Sequence, residues 1–274
     1  MNKKQNQRTT GKEQYYTPID TARLCFETIR PFLPDNKDLK WLEPAGGKGV
    51  FIDVILENGY KNITSYDIEP KHPMIQETND FLSEDLDNLR NCITLTNPPF
   101  GRANKLSVPF FNKCATVSDY IGFLIPKSWR KWTVIERLDR NFHLIEDIDL
   151  NVDFIYEEDT NKKSKGKLNT IFQVWERRDY YRENIFVEDR GYITKTTPEK
   201  ADVSLTIFGR GCGKVKTEFL RVPNTTQMFL KLNEDWVLEA LKTVDFSRFY
   251  NNVSFVEALS LKEINFLLNQ FKDK

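Results

Sequence analysis

Lys40-Trp41-Leu42-Glu43-Pro44-Ala45-Gly46-Gly47-Lys48-Gly49 is the stretch whose reading decides the fold. Its apolar opening reads as a short strand, Pro44 stops it, and Gly49 to Asn58 continues as a helix. Glycines in a turn between strand and helix let the backbone approach a ligand closely, while the helix start presents free N–H groups. In dinucleotide enzymes that arrangement holds a pyrophosphate. Here Glu43 stands at the strand end, where a carboxylate repels phosphate and attracts a cation. The order Gly47-Lys48-Gly49 also lacks the Ser or Thr that a phosphate-binding Gly-Lys-Ser/Thr loop requires.

Outward from this turn the chain alternates strands and helices. Thr17-Pro18 opens a helix to about Arg30, with Pro18 in the first turn. Ile63 to Asp67 reads as a strand ending in an acid, and Cys92 to Thr96 as a buried strand ending at Asn97-Pro98-Pro99-Phe100. Tyr120 to Ile125, Leu144 to Leu150 and Asn169 to Trp175 add further strands. Strands alternating with helices imply an α/β sheet that is mostly parallel. After Glu176-Arg177-Arg178 the texture changes to strand-like pieces (Val203 to Phe208, Met228 to Leu232) among glycine-rich connections. Helices follow over Asp235 to Lys242 and Leu261 to Phe271, the last opened by a Ser260/Glu263 capping box. The expected organisation is a disordered basic tail over 1–12, a catalytic domain over 13–178 and a small α+β region over 179–274.

Composition narrows the classes. Hydrophobic residues make up 39% and charged residues 29%, an ordinary globular balance. No apolar run approaches the roughly 18–20 residues of a membrane span, and the polar N-terminus lacks the apolar core of a signal peptide. Four scattered cysteines and two histidines offer neither a disulfide framework nor a metal site, which fits a reducing cytoplasm. The 40 basic and 40 acidic residues cancel, so any nucleic-acid face must be local. Three basic clusters can supply one: 127–131, 161–167 and 210–216.

Two further segments carry chemistry. Asp67-Ile68-Glu69-Pro70 lies about 20 residues past the glycines, where an acid takes both hydroxyls of a ribose and Ile68 can lie on an adenine face. Asp80-Phe81-Leu82 follows, with an acid able to accept from an adenine amine. At Asn97-Pro98-Pro99-Phe100 two prolines cannot continue a central strand, so they make a rigid turn at the carboxyl edge of the sheet, where such sheets bind ligands. Asn97 offers a side-chain carbonyl and Pro98 a main-chain carbonyl. Together they can accept both hydrogens of an aromatic amine and aim its lone pair at an electrophile. Phe100 offers a flat face for a base, which would have to be flipped out of a duplex to reach it.

These segments, in this order, resemble the gamma-class adenine-specific DNA methyltransferases. Tyr16-Thr17-Pro18 looks like their N-terminal motif, which touches the methionine part of S-adenosylmethionine. Glu43, Pro44, Ala45, Gly47 and Gly49 resemble their glycine motif, Asp67 and Ile68 their ribose segment, and Asp80 and Phe81 their adenine segment. The resemblance implies a Rossmann-like class I methyltransferase fold with a mostly parallel seven-stranded sheet and S-adenosylmethionine as cofactor. Its ammonium and sulfonium suit the acid at Glu43. The resemblance further implies direct methyl transfer to N6 of a flipped adenine by Asn97, Pro98, Pro99 and Phe100. It implies an aromatic residue, Phe154 or Tyr156 with Phe154 favoured, that sandwiches the base against Phe100. No metal and no membrane enter this expectation.

The expected polymer is DNA. A recognition region of about 100 residues is small for that family, and an Asn-Pro-Pro-Phe motif also serves enzymes acting on adenosine in RNA, including the mRNA cap. Methylation of protein glutamine or a small amine, and a non-catalytic binding subunit on the same fold, are the other readings.

Overall fold

The computed structural model describes residues 15–154, 169–250 and 256–274. The expected tail over 1–12, Tyr156 and the basic cluster 161–167 lie outside the described residues. The chain divides into two compact units, Met1–Glu183 and Asn184–Lys274.

In the first unit, α1 (Ile19–Ile29) precedes β1 (Lys40–Glu43), α2 (Val50–Glu57), β2 (Ile63–Asp67), β3 (Gln76–Glu77) and β4 (Cys92–Thr96). Next come α3 (Ser107–Cys114), β5 (Ser118–Pro126), the short α4 (Trp132–Ile135), β6 (Phe142–Asn151) and β7 (Asn169–Arg177). The seven strands form one sheet in the order β3-β2-β1-β4-β5-β7-β6. Neighbours from β3 through β5 pair in parallel, while β7 runs antiparallel to both β5 and β6. This is the Rossmann-like, mostly parallel seven-stranded sheet expected from the sequence.

The order explains the residue pattern. β4 lies between β1 and β5, and all five of its residues are buried, so it reads as a continuous apolar run rather than an alternating one. Thr94 satisfies its hydroxyl on Ser118 at 2.7 Å, which lets a polar side chain sit at the sheet's centre. Proline in the first turn of α3, at Pro109, removes an N–H that had no helical partner. Phe111 on that helix anchors the core. Its ring meets those of Phe123, Trp129, Phe142 and Trp175 with centroids 5.5–5.7 Å apart, all edge-on.

The second unit holds a four-stranded antiparallel sheet in the order β10-β9-β11-β8, from β8 (Ile193–Lys195), β9 (Val203–Thr206), β10 (Val215–Lys216) and β11 (Gln227–Leu232). Helices α5 (Val237–Thr243) and α6 (Leu261–Lys272) follow, and Ser260 with Glu263 forms the expected capping box. No described helix is long and apolar enough to cross a membrane.

Because four large rings close around Phe111, truncation leaves a cavity that α3 and the sheet cannot both fill. Phe111→Ala should lower the unfolding free energy by about 3–5 kcal/mol. Urea titration followed by circular dichroism measures it, and a loss under 1 kcal/mol would contradict this account of the core.

Candidate active site

The carboxyl ends of β1, β2 and β4 open onto one cavity of about 1470 Å³. The N-terminal segment Tyr15–Thr17, the glycine turn, the ends of β2 and β4, and the loop from Thr78 to Leu82 all contribute to its wall. Of the residues expected at a site, Tyr16, Thr17, Pro44, Ala45, Gly47, Asp67, Ile68, Asp80 and Phe81 line it together with Asn97, Pro98 and Pro99. Pro18, Glu43, Gly49, Phe100 and Phe154 do not. Pro18 and Gly49 cap the starts of α1 and α2, and the other three are buried behind the wall.

The glycine turn is tied to β2 by its backbone. Gly47 N–H donates to Asp67 Oδ2 and Glu69 N–H to Asp67 Oδ1, both at 2.8 Å. Gly46 N–H donates to the Tyr66 carbonyl at 2.9 Å. A Cβ on Gly46 would stand 2.6 Å from Ser65 Oγ and 2.7 Å from Ile75, so only glycine lets the turn lie this close to β2. Asp80 accepts the Leu82 N–H at 3.0 Å and so caps a 3-10 turn over Phe81–Ser83. Tyr16 packs beside Gly47, with Lys48 Nζ 4.6 Å and Lys71 Nζ 5.3 Å from its ring centre.

Glu43 corrects the reading of the turn. The carboxyl was expected to face a cationic ligand, yet it is 1% exposed and points into the protein. Its Oε1 accepts the Ala45 N–H at 3.0 Å and the Thr96 hydroxyl, joining the ends of β1 and β4. Oε2 has no partner. Burial pushes its pKa up to about 8, against the pull of those two donors, and the nearby Asp67 charge adds to the rise. The acidity of the cavity comes instead from Asp53, Glu57, Asp67, Glu69 and Asp80, opposed by Lys48.

Asn97 sits where β4 meets the N-terminal segment. Its Nδ2 donates to the Tyr15 carbonyl at 2.8 Å and to Thr17 Oγ1 at 3.1 Å. Its Oδ1 is buried and has no hydrogen-bond partner. Behind it, the rings of Tyr15 and Phe100 stack at 5.5 Å and 24°, and Phe154 meets both edge-on. Phe100 and Phe154 were expected to form two parallel walls. A base between them needs a ring separation of about 7 Å, two van der Waals contacts of ~3.5 Å. The two rings stand 6.4 Å apart at 69°, with Tyr15 on the face of Phe100. The three rings bury apolar area against one another and leave no slot between Phe100 and Phe154.

The basic cluster 127–131 is also corrected. Lys127 pairs with Asp149 at 2.6 Å, Arg130 pairs with Asp147 and Asp149, and Trp129 is buried. The charges of Lys127 and Arg130 are thus paired with aspartates of β6. In the second unit Arg210 and Lys214 are exposed, and neither makes an ion pair among the described residues. Among the described residues no group of His, Cys, Asp and Glu is arranged to hold a metal. Tyr15, Asp53, Glu57 and Phe110 also line the cavity and were not singled out from the sequence. Tyr15 had one available signal, its place beside Tyr16-Thr17-Pro18.

Over 97 residues the chain is 32% identical to two curated proteins, the type II methyltransferases M.HincII of Haemophilus influenzae and M.HindII of its Rd strain. The match takes in 34% of this chain and 18% of each relative, so the chain spans under a fifth of their length. A solved structure from Pyrococcus horikoshii, described as an RNA methyltransferase, superposes with a TM-score of 0.49 at 16% identity, over 64% of this chain and 92% of that one. No family model matches the chain.

Glu43 carries a consequence for stability. Its carboxyl binds a proton more tightly in the folded chain than an ordinary glutamate, whose value is 4.5. The folded state is therefore favoured at acid pH, and this advantage is lost as pH rises through about 8. Glu43→Gln keeps an acceptor for Ala45 and Thr96 but cannot ionise. Its stability relative to wild type should rise steadily from about pH 5 to pH 9. Parallel curves for the two proteins in urea titrations across that range would refute the assignment.

Proposed function

We propose that this chain is an S-adenosylmethionine-dependent methyltransferase acting directly on the exocyclic N6 amine of an adenine turned out of DNA. The observation that carries this reading is Asn97 Oδ1, a buried acceptor without a partner at the end of β4, on the same cavity as the glycine turn and Asp67.

The cavity suits the cofactor. Its carboxylates outnumber its lysine, which favours a cationic ligand over a polyphosphate. Each Asp67 oxygen takes one backbone N–H and keeps a second lone pair for a ribose hydroxyl. Asp67 and Ile68 would hold the ribose, Asp80 and Phe81 the adenine, and Tyr16 with the turn from Pro44 to Gly47 the methionine end. When bound, S-adenosylmethionine supplies an electrophilic methyl on a sulfonium.

Asn97 Oδ1 and the Pro98 carbonyl accept the two amine hydrogens and leave the nitrogen lone pair free for attack. The same two oxygens stabilise positive charge as it develops on that nitrogen. No nucleophilic side chain is required, because positioning and electrostatics carry the step. Phe100, with Phe154, provides apolar faces for the extruded base once the ring cluster opens. The second unit, with exposed Arg210, Lys214 and Phe208, serves substrate recognition in this reading. Similarity to type II methyltransferases supports DNA as the polymer.

Tritiated cofactor offered with DNA and RNA oligonucleotides, followed by nucleoside digestion, tests the reaction. Label is expected on N6 of deoxyadenosine. Label in RNA alone would move the reaction to that polymer. Label in neither, with no cofactor binding by calorimetry, would leave a non-catalytic binding subunit. Asn97→Ala should cut methyl transfer by about 100-fold or more while leaving cofactor affinity within about threefold. Activity near wild type in that variant would reject Asn97 as the amine acceptor.

A further inference from the structure

We infer that Thr17 is a positioning residue for Asn97: with the Tyr15 carbonyl it locks the side-chain amide so that only an acceptor faces the substrate. The inference rests on the reading of Asn97 as the group that receives the target amine.

An asparagine amide has a donating and an accepting end of almost the same shape, and a half-turn about χ2 exchanges them. An acceptor site for an amine therefore needs something that forbids the exchange. In this chain the N-terminal segment supplies it from 80 and 82 residues away in sequence. Nδ2 meets Tyr15 O at 2.8 Å and Thr17 Oγ1 at 3.1 Å, which gives both of its hydrogens a partner. A backbone carbonyl can only accept, so the reversed amide would set two oxygens against each other at Tyr15. Thr17 is itself buried, at 7% exposure. What remains is Oδ1, buried and without a partner. A site that presents oxygens alone selects bases carrying an amine and rejects a 6-oxo purine, whose oxygen would face another oxygen.

This assignment gives Thr17 a different duty from the one implied by resemblance, which is contact with the cofactor's methionine. The two duties separate experimentally. Thr17→Val preserves shape and removes the hydroxyl, and Thr17→Ser restores it. Under the positioning role, Thr17→Val lowers kcat for methyl transfer by about 3- to 10-fold, the worth of one lost hydrogen bond. Cofactor affinity measured by calorimetry stays at the wild-type value, and Thr17→Ser recovers kcat. A weakened cofactor affinity with unchanged kcat would make Thr17 a cofactor residue and overturn the inference. So would a Thr17→Val enzyme indistinguishable from wild type.

A second readout is independent of turnover. In protein labelled with 15N-asparagine, the Asn97 side-chain amide, assigned through Asn97→Asp, should exchange its hydrogens slowly in wild type and Thr17→Ser, and faster in Thr17→Val. Equal exchange in all three overturns the lock even if the enzyme is active. If the wild-type chain methylates no nucleic acid, the functional reading fails, and this exchange measurement alone judges the lock. If Thr17→Val does not fold, the comparison of wild type with Thr17→Ser still decides: fast exchange in both rejects the lock, slow exchange in both supports it.

Discussion

The site depends on a carboxyl that never reaches it. Glu43 Oε1 takes one hydrogen from Ala45, at the start of the glycine turn, and one from Thr96, the last residue before Asn97. β1 and β4 are already neighbours through their parallel ladder from Lys40/Cys92 to Leu42/Thr94. That ladder ends before both functional loops begin. Glu43 extends the connection past its end, so the turn that would hold a cofactor and the strand end that would hold its acceptor share one anchor. Burying a carboxyl is costly, and the loss of solvent raises its pKa to about 8. Two donors on one oxygen offset part of it. The other oxygen has none.

With the scaffold joined in this way, the chemistry divides between two walls. One is built from strand ends: the glycine turn, Asp67 and the prolines after Asn97, held by backbone hydrogen bonds and by the close approach at Gly46. The other is the segment Tyr15–Thr17, held to Asn97 through two hydrogen bonds and to Phe100 through ring stacking. β1, β2 and β4 each have a neighbour on both sides, which holds their ends in place. A segment attached by a few contacts opens at far lower cost. The groups that would accept the base are therefore on the strand-end wall, and those that orient Asn97 are on the segment Tyr15–Thr17.

Much of the first wall was legible in the sequence because its signals are local. β2 and β4 end where their apolar runs end, and Pro98-Pro99 forbids further ladder. The acid at Asp67 and the amide at Asn97 stand at strand ends by simple counting. Glu43 shows where counting stops. Its type and place were legible, but its direction was not, because the Thr96 hydroxyl that draws it inward comes from 53 residues away. The basic cluster at 127–131 shows the same limit: the aspartates that pair with Lys127 and Arg130, Asp147 and Asp149, lie on β6. β3 has only two residues, both polar and exposed, and leaves no periodic trace.

The meeting of Tyr15 with Phe100 and Asn97 is the least legible feature and the most instructive. Nothing in either stretch announces the other, since the contact spans 82 residues. Once the fold brings them together, elementary chemistry sets the outcome. A backbone carbonyl beside an asparagine amide fixes which end is the donor, and the opposite end must then be an oxygen. An aromatic ring over Phe100 covers apolar area that water would otherwise wet. In the proposed reaction the motif Asn97-Pro98-Pro99-Phe100 thus names the groups that would do the work, while the orientation of Asn97 comes from the segment Tyr15–Thr17. A residue at a catalytic position is half of a catalytic group; the other half is whatever prevents it from turning round.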